Sequence, residues 1–313
     1  MAEVPQNEDD LRDSVGSPLT PSAIEAKADA SIDNVLKFFA SHGVELKKRP
    51  KVRYSDMPCP LNNRAAAMAN TDVESMKGLL SMIGASLTRA SYRRFGLTVS
   101  DEAMQEALAV SNGYLSEVFR QVSLFGEGTD VALFPPIQNM LDEMDSTVGH
   151  EMWHLKEEEN GLLVDESMLR EATATYVENL IAGKSSLNPQ IRDHFDVVYK
   201  YGAAIVEEEL LGVVNPLQAL LDPEVRRKLD AKFQEKVMPL FERKVSETFD
   251  PSLSEGYERQ LLRTDEAYVA FRNNPSADTY LEALRRRGYA KLADDFAKQD
   301  LTQIVKHGKR LLS

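Results

Sequence analysis

His150-Glu151-Met152-Trp153-His154 sets two histidines four residues apart. On a helix that spacing puts both side chains on one face, one turn apart. Two imidazole nitrogens can then meet one metal ion. Glu151 lies about 100° around the same helix from His150. From there its carboxylate can reach a water held by that metal. The flanking residues support a helix. Ile137, Met140, Leu141, Met144, Val148, Met152 and Leu155 fall on one stripe at 3.6 residues per turn. His150 and His154 lie outside it, on the side of Thr147. The helix therefore has a core face, to which Met152 and Trp153 also belong as packing residues, and a separate ligand face. Asp145-Ser146 is a candidate cap dividing the pattern. Lys156 and the run Glu157 to Glu159, read as solvated, end it with Gly161.

Working outward, Val131-Ala132-Leu133-Phe134 is a short apolar run stopped by Pro135-Pro136 and reads as a strand. Val44 to Tyr54, which contains Pro50, reads as an exposed or edge strand. Helical spacing covers 72–93, and Ser100-Asp101-Glu102 opens another helix. An N-terminal helix is expected from Ser31 to near His42, with Gly43 as its stop. Downstream, Asp165 or Glu166 opens a helix that Gly183 closes, and 194–211 is helical. From Pro223 onward the patterns are helical, broken at Pro251, Pro275 and Gly288.

A catalytic zinc takes three protein ligands and keeps one position open. Glu171 follows His154 by 17 residues, room for a loop and the first turns of a second helix. Glu166 and Glu178 are rival third ligands. HEMWH and Glu171-Ala172-Thr173-Ala174-Thr175-Tyr176 together resemble the gluzincin branch of the zincin metallopeptidases. There an H-E-x-x-H helix is followed by a helix whose Glu completes the site. The looser string Tyr199-Lys200-Tyr201-Gly202-Ala203-Ala204-Ile205-Val206 resembles a further helix that packs behind it. The strand 131–134 stands where the family's substrate-binding edge strand would lie. The resemblance covers about 129–220. It implies Zn²⁺ held by His150, His154 and Glu171, with Glu151 as general base in the hydrolysis of a peptide or protein substrate. Tyr199, Tyr201, Tyr176 and His194 are candidates to stabilise the oxyanion, Tyr199 and Tyr201 foremost. The competing expectation is a non-catalytic helical interaction protein, or a zinc-binding pseudo-peptidase.

The 313 residues can hold one large domain or two. The expected fold is α+β and predominantly α-helical: a zincin-like catalytic core with a small mixed sheet and a helical C-terminal part. Its expected divisions are a disordered acidic tail at 1–25, an N-terminal α+β part at 26–128, the metal-binding core at 129–220 and helices at 221–313. The net charge of −13 argues against nucleic acid or an anionic membrane as partner. Cys59, read as inert, is the single cysteine, so no internal disulfide forms. MAEVPQNEDDLRDS lacks the apolar run of a signal peptide, and no stretch has the length of a transmembrane helix. The expected location is cytoplasmic, and the sequence leaves the oligomeric state open. Arg285-Arg286-Arg287 reads as a solvated helix face rather than a docking patch.

Overall fold

The computed structural model of the protein describes residues 20–55, 65–67, 81, 84–110, 129–134, 137, 141–162, 167–248 and 251–313. The expectations for residues 1–19, Cys59, Gly113 and Glu166 lie outside these.

The chain opens with α1 (Pro21–Ser41), ten residues before the expected start at Ser31. Thr20 caps it by accepting from the Ala23 amide, and Pro21 occupies the first helical position. Proline is suited to that position, because its missing N–H would have no partner there. Residues 21–25, read as tail, thus belong to α1, and Ile24 and Ala28 are buried. Three short strands follow: β1 (Val52–Tyr54), β2 (Ala65–Ala67) and β3 (Val131–Leu133). They form one mixed sheet in the order β1-β3-β2, with β1 parallel and β2 antiparallel to β3. The sequence places β1 correctly at an edge. It misplaces β3, which is the central strand. An edge presents unpaired backbone groups, whereas β3 is paired on both sides.

Helices α2 (84–93) and α3 (101–110) come before β3 in the chain. Ser100 accepts from the Ala103 amide at the start of α3. A 3₁₀ turn, Leu141–Glu143, leads into α4 (Met144–Glu159). The division expected at Asp145-Ser146 falls just before Met144 instead. Asp145 does not cap; it accepts from Ser31 Oγ and Asn34 Nδ2 of α1. Next is α5 (Ser167–Ile181). Then α6 runs from His194–Asp196 through a π-helical Val197–Tyr201 into Gly202–Leu210. α7 (Pro216–Leu220) and α8 follow, the latter built of Pro223–Lys232, a π-helical Phe233–Val237 and Met238–Thr248. The last helices are α9 (Pro251–Thr264), α10 (Val269–Asn273), α11 (Ala277–Arg286), α12 (Ala290–Phe296) and α13 (Thr302–Leu312). The chain is predominantly helical, as expected. Among the described residues no helix is long and apolar enough to cross a membrane.

Buried apolar residues group into two cores. The first joins α1, β1, β3 and α4 to α8. The second joins residues around α3 to α9 through α13. α4 is enclosed within the first: 12 of its 16 residues are buried. Met144, Val148 and Met152 face the core as the stripe predicts, and Trp153 meets the Phe39 ring of α1 edge-on, 5.9 Å away. The opposite face of α4 is covered by α5. Behind α5, α6 approaches closely at Gly202, where a Cβ would lie 2.7 Å from both Ala172 Cβ and Phe233 Cζ. Only a residue without a side chain fits there. The Glu171-bearing helix is thus held between α4 and α6.

Candidate metal centre

Burial of His150, Glu151 and His154 follows from the two-faced character of α4. Its apolar stripe faces α1 and the sheet, so its polar stripe must face α5. The two helices run antiparallel, early α4 residues meeting late α5 residues. Glu178 therefore reaches His150, while Arg170 and Thr173 reach Glu157. Glu171 falls between, one helical face of α5 carrying both Glu171 and Glu178.

The structure brings together the three residues expected as ligands. His150 Nε2 and His154 Nε2 are 3.3 Å apart. Glu171 Oε2 lies 3.5 Å from the first and 3.7 Å from the second. All three side chains are buried, and their donor atoms can hold a metal ion. Each imidazole also has a carboxylate at its other nitrogen. His150 Nδ1 lies 3.2 Å from Glu178 Oε2, and His154 Nδ1 lies 3.6 Å from Glu157 Oε2. At His150 this hydrogen bond favours the tautomer whose Nε2 lone pair faces His154 and Glu171, whereas the 3.6 Å separation at His154 is an ionic contact rather than a hydrogen bond. Glu178, named in the sequence as a rival ligand, stands behind His150 instead.

Glu157 corrects the expectation of a solvated acidic run. It is fully buried and ion-paired to Arg226 Nη1 at 2.6 Å and Arg170 Nε at 3.3 Å. It also accepts from Thr173 Oγ1 at 2.7 Å. Arg170 Nη2 donates in turn to the His154 carbonyl. Burial pushes the Glu157 carboxyl upward, but Arg226, His154 and Arg170 outweigh it and hold it near 2. Burial likewise opposes ionisation of Glu171, and the adjoining imidazoles hold it far below the usual carboxylate range. At His150, burial opposes the cation, yet Glu171, Glu178 and Glu151 raise its pKa well above the ordinary value. The carboxylates Glu151, Glu171 and Glu178 thus favour positive charge at the centre of the triad.

Glu151 is buried on the same helix. The Tyr199 ring is stacked 6.4 Å from that of His150, with 30° between the planes. Tyr199 belongs to the π-helical segment of α6, a distortion often found where side chains are aimed at a site. Tyr201 is half-buried against the first core, and Tyr176 is buried on α5. His194 lies against Phe195 and Phe241. Arg170 and Arg226 had no signal in the sequence, because nothing local distinguishes a buried arginine from a surface one.

Glu178→Ala is expected to weaken metal binding by about 10- to 100-fold, the usual cost of losing such a supporting carboxylate. The fold should survive, because Glu178 is only partly buried. Competition against a chelating indicator measures the change; an unchanged affinity would show that His150 needs no such partner.

Comparison of the chain with protein-family models, with curated proteins and with solved structures finds no match.

Proposed function

We propose that the protein is a zinc-dependent peptidase whose centre is His150, His154 and Glu171. The observation that carries this reading is the spacing of the three donors. Ligands about 2.0–2.1 Å from a tetrahedral zinc stand about 3.3–3.4 Å from one another. The three separations here are 3.3, 3.5 and 3.7 Å. Two imidazoles with one carboxylate suit zinc better than the all-oxygen preference of calcium or magnesium. Charge supports the same reading. Four carboxylates, Glu151, Glu157, Glu171 and Glu178, gather around the two imidazoles, which as metal ligands would be neutral, and the guanidiniums of Arg170 and Arg226. A divalent cation cancels the excess of two negative charges.

Bound zinc would supply a Lewis acid that acidifies water and polarises a carbonyl. The chain supplies the rest. His150, His154 and Glu171 would hold the zinc, three protein ligands being the number that leaves a catalytic zinc accessible to water or substrate. Glu151 accepts the proton of the attacking water and passes it to the leaving amine. Tyr199, whose ring stacks on that of His150, is the side chain we assign to donate its hydroxyl to the developing oxyanion. Glu157, clamped by Arg170 and Arg226, and Glu178 hold the two imidazoles in register.

The test is hydrolysis of a mixed peptide library by the purified protein. Cleavage is expected, to be abolished by a chelator and restored by added zinc. Cleavage that persists in excess chelator would overturn the assignment to a metallopeptidase.

A further inference from the structure

The second core holds a half-open cavity of about 340 Å³ between α2, α3, α9, α11, α12 and α13. This space reaches the size of small-molecule sites. None of its lining residues belongs to the metal centre.

The walls divide into two kinds. Phe95, Leu261, Leu284, Leu292 and Ile304 provide an apolar surface. Arg94, Arg287, Glu258 and His307 provide charge and hydrogen bonds. Both oxygens of Glu258 are engaged: Arg94 Nη2 donates to one at 2.6 Å, and His307 Nε2 meets the other at 2.7 Å. Arg287 is held by Asp265 at 3.0 Å, and its guanidinium lies over the Tyr289 ring. The lining thus carries two guanidiniums and one carboxylate, Glu258, while the carboxylate that anchors Arg287, Asp265, stands outside it. Tyr92 and Tyr280 also line the cavity, and burial keeps both hydroxyls protonated. Tyr257, 64% exposed, stands at the rim.

We propose that this cavity is a second binding site, for a small aryl-alkyl carboxylate. Its aromatic body lies among Phe95, Leu261 and Leu284. Its anionic head meets the guanidiniums of Arg94 and Arg287. Such a head forms charge-assisted hydrogen bonds with arginine, which are stronger than neutral ones.

Hydrocinnamate titrated into the full-length protein by calorimetry tests this, with hydrocinnamyl alcohol as its uncharged counterpart. Saturable binding of the carboxylate is expected, and the alcohol should bind about tenfold or more weakly. Ala107→Leu fills the space from α3, and Ser91→Leu fills it from α2. Either should remove the binding while thermal melting shows a folded protein. His154→Ala, which disables only the metal centre, should leave it unchanged. Absence of saturable binding overturns the site. Binding that persists at full strength in a folded filling variant overturns its location. Equal binding of acid and alcohol overturns the carboxylate class.

Discussion

Glu151→Gln is expected to lower peptide hydrolysis by about 100- to 10,000-fold, the range a positioned general base contributes. The metal should remain at its wild-type level. Glutamine keeps the size and hydrogen-bonding capacity of the side chain but cannot take up the proton of the attacking water. The group whose donor atoms can share a metal is His150, His154 and Glu171, and Glu151 has the role of base rather than ligand in the proposed mechanism. Loss of hydrolysis and loss of metal are therefore separable. Steady-state cleavage of a library-derived peptide, paired with metal analysis of the same sample, measures both. A variant that cleaves at the wild-type rate would remove Glu151 from the mechanism. A variant that loses its metal would make it a ligand.

The second large effect is on stability. Glu157→Ala is expected to destabilise the fold by about 3–5 kcal/mol, the cost of removing one partner from a buried ion pair. Glu157 and Arg170 are wholly buried and Arg226 nearly so, and the substitution strands both guanidiniums at once. Glu158→Ala, one residue on and partly exposed, should change stability by no more than about 0.5 kcal/mol. Urea denaturation of the two variants side by side gives the contrast. Equal costs would mean that the cluster around Glu157 stabilises nothing.

That contrast also marks what was legible in the sequence. Glu157, Glu158 and Glu159 form one uniform charged run, and only tertiary partners distinguish them. Arg170 lies 13 residues away and Arg226 lies 69 away. No local pattern carries that information. The three residues that can hold a metal were legible for the opposite reason. His150 and His154 are joined by one helical turn, and Glu171 by a short connection to the next helix. The first spacing follows from helix geometry, whereas the preference for Glu171 over Glu166 and Glu178 comes from the family resemblance.

The remaining differences have similar causes. The start of α1 was written locally, in Thr20-Pro21, but the acidic, proline-containing residues before it resembled a continuous tail. The sheet was harder to read. β2 is Ala65-Ala66-Ala67, a residue type depleted in strands. Without it, β3 has a partner on one side only and reads as an edge. The cavity in the second core draws residues from α2 and α3 together with helices more than 150 positions later, so it too was invisible in any window of sequence.

The most direct measurement is elemental analysis of the purified wild-type protein beside His154→Ala. Close to one zinc per chain is predicted for the wild type. Almost none is predicted for the variant, which should keep a folded, helical circular dichroism spectrum. A folded wild-type protein that contains no zinc and takes up none when it is supplied would contradict the assignment of His150, His154 and Glu171 as a zinc centre.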